Sequence, residues 1–274
     1  MKHLNYNAAE RGATLIVVMM ILVVMTIVGV LGIKVALTSL NISTNSQINQ
    51  LLSQTADTPL NTLANADLST ISDLSGVIGM AVEESRNAPG KEFIFCYRPM
   101  SDEKFGASLG VTVLIPPARN ATAKTRPSVD QGGAEGICNL TTDFGSARRA
   151  VVTQVAVKIP TDALSNELAP GALLGRGTNL SSGTIMPKTL LEQQRIRVTT
   201  TSIMPFYGNT DIETVQEDCL GIDGNRPGYI NDNLDTDVVG KYTVAQCLAD
   251  YGVPVNSQTQ EFNLQTMFVE KAAP

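Results

Sequence analysis

Histidine is almost absent from this sequence. Of its 274 residues only His3 is a histidine, and there is no tryptophan. Beyond the third residue the chain therefore cannot supply the imidazole of a Ser-His-Asp or Cys-His mechanism, and it lacks a usual zinc ligand. This composition argues against an enzyme and leaves only chemistry based on carboxylates.

Positive charge is also scarce. The formal net charge is −6 and the pI is about 4.9. Binding to a phosphate backbone requires clustered lysine and arginine, whereas the basic pair Arg148-Arg149 reads as a solvated strand end. We therefore expect no nucleic-acid partner.

The sequence does contain four cysteines, Cys96, Cys138, Cys219 and Cys247. None belongs to a C-x-x-C pair, so zinc and thioredoxin-like sites are not indicated. An even number of cysteines, all beyond the long apolar run, predicts two disulfides in an oxidising compartment. Three pairings are possible, and we favour Cys96–Cys138 with Cys219–Cys247 because each closes a moderate loop within one half of the head, the part of the chain from residue 57 onward.

The longest apolar run covers Ala13–Ile33, which are 21 residues without a charge. As a helix it would be about 31 Å long, which matches the hydrocarbon core of a bilayer. It is too long for the apolar core of an ordinary secretory signal. Either it is a plain uncleaved anchor, or the polar segment Met1–Gly12 is a short leader that is removed.

The junction RGATLIVV at residues 11–18 resembles the start of type IV prepilins, and most of all that of PilX-type minor pilins. The resemblance implies that a prepilin peptidase cuts between Gly12 and Ala13 on the cytoplasmic side and N-methylates Ala13. Most pilins have glutamate as the fifth mature residue, whereas this chain has Val17. Because that carboxylate is thought to pair with the subunit above, valine fits a tip or initiation subunit.

Apolar residues continue at helical spacing beyond the membrane segment, until Pro59 stops or kinks the helix. We therefore predict a leader at 1–12, a transmembrane and stalk helix about 65 Å long at 13–56, and a head domain at 57–274.

The head contains short apolar stretches bounded by glycine and proline, which is typical of strands. Predicted strands are Glu92–Arg98, Ser108–Ile115, Arg149–Ile159, Arg195–Ile203 and Glu261–Glu270, with Arg149–Ile159 central and half-buried. The stretches 117–136 and 160–189 read as loops, and Thr243–Gln246 as a capping box that opens a short helix ending at Gly252. We expect an α+β, pilin-like fold with the long helix against a mostly antiparallel sheet.

Five aspartates cluster among glycines between Cys219 and the short helix. Calcium prefers carboxylate and carbonyl oxygens, but the spacing does not match the EF-hand. A solvated acidic loop is the favoured interpretation, and a calcium site is the alternative. Related tip subunits of secretion pseudopili are said to bind calcium, which favours the alternative slightly. The calcium candidates are Asp218, Asp223, Asp232, Asp235 and Asp237.

Together these features predict a structural, non-enzymatic minor pilin without a cofactor, apart from the calcium alternative. It would help to initiate type IV pilus assembly from the bacterial inner membrane, with its head in the periplasm, and then remain at the pilus tip on the cell surface. The resemblance implies prepilin peptidase, other minor pilins, the major pilin and a large tip adhesin as partners. Alternatives are the tip pseudopilin of a type II secretion system and a bitopic membrane-anchored periplasmic binding module.

Overall fold

The computed structural model describes residues 10–66, 73–85, 88–99, 110–146, 148–162, 194–208 and 210–264. By its internal contacts the chain divides into two compact units, Met1–Gln50 and Leu51–Pro274.

The first helix, α1, spans Glu10–Ala64 and contributes nearly all of the first unit. Within the described residues, one helix is long and apolar enough to cross a membrane, and it is this one. Its threonines return their hydroxyls to the helix backbone, as Thr26 Oγ1 does to the Val23 carbonyl at 2.8 Å. The large aliphatic side chains between Leu15 and Ile42 are all exposed in the isolated chain, as lipid or partner helices would require.

The prediction that the helix ends near residue 56 is wrong. The helix continues through Pro59 to Ala64. Proline has no N–H to donate to the carbonyl four residues earlier, so its place in a helix weakens that turn. The compensation comes from packing, because Leu60 and Leu63 of the following turn are buried in the core. Tertiary burial here overrides the local preference.

The second unit is built on an antiparallel sheet of six strands in the order β3-β2-β1-β4-β5-β8. Its strands are β1 (Glu92–Tyr97), β2 (Thr112–Ile115), β3 (Ser128–Gln131), β4 (Val152–Lys158), β5 (Gln194–Ile203) and β8 (Val255–Leu264). Smaller elements are α2 (Val77–Ser85), α3 (Ile212–Val215), β6 (Gly221–Asp223), β7 (Arg226–Pro227) and α4 (Val244–Asp250). This is the predicted α+β, pilin-like fold.

One face of the sheet, here called the helix face, is apolar and is covered by α2 and the end of α1. Phe93, Val155 and Val198 of three neighbouring strands pack there against Leu63 of α1. The end of the helix is also held by a side chain of the sheet, because Thr200 Oγ1 donates to the Ala56 carbonyl at 2.8 Å.

The opposite face, here called the loop face, is covered by the segments around Cys138 and between Cys219 and Val253. Because both faces are covered, all seven residues of β4 are buried, and the prediction that this strand is half-buried is wrong. Its central position is confirmed. The alternation of side chains puts Val155 and Val157 on the helix face and Lys158 on the loop face.

Other boundaries differ from the predicted ones. The stretch 117–136 contains the edge strand β3, and β8 begins at Val255, six residues before the predicted start. The second half of the predicted strand Glu261–Glu270 and most of the predicted loop 160–189 lie outside the described residues. The capping box is confirmed, and Gly252 follows the helix with φ +72°.

Candidate functional site

The predicted processing site lies at the start of α1. Gly12 and Ala13 fall in its first turn, because the helix begins at Glu10. Cleavage between them and N-methylation of Ala13 stay predictions.

The cysteines form the two favoured disulfides, Cys96–Cys138 and Cys219–Cys247. The first joins β1 to the segment that crosses the loop face, and the second joins the turn after α3 to α4. That crossing is close: a Cβ on Gly136 would lie 2.0 Å from the Ile94 carbonyl oxygen, so only glycine fits there. Together the two bonds tie the loop layer to the sheet and to itself.

The five calcium candidates are not brought together. Asp218 lies near Arg126 and accepts a hydrogen bond from Tyr251 Oη, and Asp223 accepts from the Asn225 and Arg226 N–H groups in the β6–β7 turn. Asp237 is exposed. In the part of the chain that the structure describes, no group of three His, Cys, Asp or Glu side chains is placed to hold a metal ion.

Asp232 and Asp235 instead face a row of charged side chains on the loop face of the sheet. Strand register sets Glu92 opposite Lys158, Lys158 opposite Arg197, and Arg197 opposite Glu261. We call these four residues, on β1, β4, β5 and β8, the charged row. Its two cations occupy the inner positions and its two carboxylates the outer ones.

The loop Asn231–Asp235 closes over the charged row. Arg197 Nη1 donates to Asp235 Oδ1 at 2.7 Å and to Asp232 Oδ2 at 3.1 Å, while its Nε and Nη2 donate to Glu261 Oε1 at 2.8 and 2.6 Å. Lys158 Nζ lies 2.8 Å from Asp235 Oδ2. A calcium ion at this loop would therefore have to displace two cations, and calcium binding here stays a prediction.

Glu92 is completely buried and is held by the backbone of the same loop. Its Oε2 accepts from the Asn231 backbone N–H at 2.8 Å and from Asn231 Nδ2 at 3.2 Å, and its Oε1 accepts from the Asp232 N–H at 3.3 Å. Burial raises the pKa of Glu92 because it disfavours the charged carboxylate, although Lys158 opposes this.

The two cations respond in the same way to burial. Burial alone would lower the pKa of Lys158, but the charges of Glu92, Asp232 and Asp235 outweigh it and the pKa is raised. For Arg197 the hydrogen bond to Glu261 and the charge of Asp232 likewise outweigh burial, and its pKa is also raised. The cluster is therefore an ionic network with little exposure to water.

Sequence reasoning missed this cluster. Alternation along the predicted strand Arg195–Ile203 puts Arg195 and Arg197 on the face opposite Ile196 and Val198, and this is confirmed for Arg197, which lies on the loop face. The available signal was Lys158 at the end of a valine-rich strand and Glu92 at the start of another strand. Recognising it would have required the pairing of strands that are distant in sequence.

A second feature of the loop layer is a shallow cavity of about 290 Å³. Lys124 lies over the Tyr242 ring and Arg126 over the Tyr229 ring, at 4.8 and 5.1 Å from the ring centroids. Burial and the hydrogen bond to Asp250 raise the pKa of Tyr242 to about 12, so the phenol stays protonated. The cavity is at the small end of the range for ligand sites, and its own cations already cover two of its rings.

A long apolar N-terminal helix followed by an antiparallel sheet with two disulfides defines the pilin class of architecture. Residues 11–61 match the family model PilX N-terminal. This segment is therefore similar to the N-terminal region of PilX-like type IV pilins, and the resemblance predicted from the junction is confirmed. No curated protein and no solved structure matches the chain.

Proposed function

We propose that this chain is a minor pilin that helps to initiate type IV pilus assembly and then remains at the pilus tip. The observation that carries the proposal is the PilX-type N-terminal region combined with valine at position 17. The helix is carboxylate-free from Ala13 to Ala56. A subunit with no neighbour above it has no need of a buried acid to pair with that neighbour's N-terminal ammonium.

In the proposed mechanism Met1–Gly12 keeps the precursor in the inner membrane until prepilin peptidase removes it. The exposed aliphatic surface of α1 then packs against the equivalent helices of other minor pilins, where close van der Waals contact drives association. The head contributes specificity within the complex, which nucleates addition of the major pilin and presents a tip adhesin.

The first test is the intact mass of the membrane-extracted protein from strains with and without prepilin peptidase. We expect loss of residues 1–12 and gain of one methyl group only when the peptidase is present. A full-length mass in both strains, or a cut after Ile33, would favour a bitopic periplasmic binding module and reject the pilin function.

The second test separates a tip subunit from a repeating subunit. Val17→Glu places an unpaired carboxylate in an apolar environment, which is costly, so we expect less protein in sheared pili than for wild type. Val17→Leu is the matched control and should incorporate normally. If the glutamate variant incorporated better than wild type, the chain would be a shaft subunit that lacks its pairing acid.

Deletion of the gene separates pilus from secretion pseudopilus. Loss of surface pili with normal protein secretion supports the proposal, whereas loss of secretion with normal pili supports the tip pseudopilin of a type II secretion system. Pulldown of the membrane-extracted chain should recover other minor pilins.

A further inference from the structure

Lys158 and Asp235 make an unusual contact on the loop face. The Nζ and Oδ2 atoms lie 2.8 Å apart, and the two side chains are only 3% and 2% exposed. Neither atom makes a hydrogen bond of acceptable geometry with any described residue, although buried polar atoms almost always do. The amine and the carboxyl group are thus pressed together without the orientation of an ordinary ion pair.

Two neighbours complete the arrangement. Arg197 Nη1 donates to the other carboxyl oxygen, Asp235 Oδ1, at 2.7 Å, where it can stabilise negative charge that develops on that oxygen. Glu92 lies directly opposite Lys158 in the β1–β4 pair, is fully buried, and is fixed by three hydrogen bonds from the loop that carries Asp235. Glu92 therefore positions the loop that carries Asp235 against Lys158.

We propose that Lys158 and Asp235 are joined by an amide bond between Nζ and Cγ, which the folded chain forms by itself with Arg197 as its catalytic residue and Glu92 as a positioning residue. The product is a covalent link between the last residue of β4 and the loop that covers it. This proposal does not depend on the pilus function.

The reaction requires no external reagent. The Lys158 ammonium gives one proton to Asp235 Oδ2, and the neutral Nζ attacks Cγ while the carbonyl electron pair moves to Oδ1 beside Arg197. A second proton moves from Nζ directly to Oδ2, which lies beside it. The C–Oδ2 bond then breaks, the carbonyl re-forms, and one water molecule leaves while the third proton stays on the amide nitrogen.

Burial supplies both the driving force and the rate. An ammonium and a carboxylate held out of water are each penalised by lost hydration, and the amide replaces both with a neutral group. The fixed contact converts a bimolecular condensation into an intramolecular one. Exclusion of water from the site also opposes hydrolysis of the product.

Asp235 is preferred over Asp232 as the partner. Asp232 Oδ2 is 3.5 Å from Lys158 Nζ, and the same oxygen already accepts from Arg197 at 3.1 Å. In Asp235, Oδ2 faces Lys158 and accepts no hydrogen bond from Arg197. Arg197 donates to Oδ1 instead.

The decisive measurement is the mass of the full chain, extracted in detergent, reduced and denatured. We expect a mass lower by one water than that calculated for the processed sequence. A tryptic digest should lack cleavage after Lys158 and should contain a branched peptide that joins the segments holding residues 158 and 235. A full mass together with an unmodified, cleavable Lys158 would overturn the proposal and leave an ordinary ion pair.

Three variants sharpen the result without depending on native stability, because mass is read on denatured protein. Lys158→Arg keeps the charge but removes the amine, and should keep its full calculated mass. Asp235→Asn should lose ammonia instead of water and arrive at the same final mass as wild type. Glu92→Gln should leave a large uncrosslinked fraction, and complete crosslinking in that variant would reject the role of Glu92.

A fourth variant tests the choice of partner. Asp235→Ala should keep its full calculated mass. If it still lost one water, the link would involve Asp232 or another acid, and the assignment to Asp235 would be wrong.

Discussion

The two faces of the central sheet are buried to a similar degree but by different physics. On the helix face Ile196 and Val198 pack against aliphatic side chains, whereas Arg197 between them points to the loop face and contacts three carboxylates. Apolar burial is non-directional and tolerates changes of shape, while a buried charge must keep its partners. Substitutions at neighbouring residues of β5 can therefore compare apolar burial with burial of charge in the same protein.

The largest effect is expected from Arg197→Met. The change removes the main cation of buried Asp232, and breaking a buried ion pair from one side costs about 3–5 kcal/mol. The free energy of unfolding should be measured by urea titration of the detergent-solubilised chain. Arg195→Met is the control: Arg195 also meets Glu261, at 3.2 Å, but lies nearer to water, so its loss should cost at most about 1 kcal/mol. Equal losses of unfolding free energy for Arg197→Met and Arg195→Met would show that water reaches the charges on the loop face.

Removing the Cys96–Cys138 disulfide by a double change to alanine is next in size. The bond closes a loop with a sequence separation of 42, which corresponds to about 4 kcal/mol of restricted unfolded-state entropy. Removing Cys219–Cys247, with a separation of 28, should cost slightly less. The comparison is made from denaturation midpoints, and reductant should lower the midpoint of wild type but not of a variant lacking both bonds.

On the helix face, Ile196→Ala should cost about 2–5 kcal/mol because the side chain is 1% exposed and leaves a cavity. Ile196→Leu should cost less than about 1.5 kcal/mol, since it conserves volume. The same urea titration measures both. A leucine variant as unstable as the alanine variant would mean that this face also demands specific shape.

A smaller effect is expected in the layer that covers the loop face. Thr243 Oγ1 accepts from the Gln246 N–H at 3.3 Å and caps α4, so Thr243→Ala should cost about 1 kcal/mol. Thr243→Ser keeps the hydroxyl and should lie within a few tenths of wild type. Thermal unfolding followed by circular dichroism is sufficient, and an unchanged midpoint for alanine would contradict the cap's contribution.

The smallest effect concerns pH. Asp162 follows the end of β4 by four residues, and hydrogen bonds from the backbone and side chain of Thr236 lower its pKa below the usual 3.8. A depressed carboxyl pKa stabilises the folded state above the unfolded pKa, and that contribution disappears as the pH falls through the folded pKa. The difference in stability between wild type and Asp162→Asn should therefore be present at pH 6 to 7 and should decline progressively as the pH falls below about 4. A constant difference would exclude the carboxylate charge as its source.

Local patterns predicted most of the architecture. Alternation and flanking proline identified β1, β4 and β5, and spacing of the cysteines identified the disulfide pairing. The patterns failed where distant parts of the chain decide the outcome. Burial of Leu60 and Leu63 carries α1 past Pro59, and the loop layer turns a strand that looked half-solvated into one buried on both sides.

The site was less predictable than the fold. Asp232 and Asp235 were singled out as possible metal ligands, but their partners, Lys158 and Arg197, lie on strands that are far from them in sequence. Only the register of β1, β4, β5 and β8 brings those charges into one row. An acidic loop alone therefore does not distinguish a calcium site from an ionic contact with the chain's own cations.

The charged row also protects the sheet against misassembly. Because side chains alternate, shifting β4 by one residue relative to its neighbours would move Lys158 into the aliphatic layer beneath α1 and expose Val157 to the acidic loop. Such a slipped arrangement would bury an unpaired ammonium in one layer and unpaired carboxylates in the other. Only the native alignment satisfies all of these charges, so the row gives the chain a built-in means of rejecting wrongly paired strands.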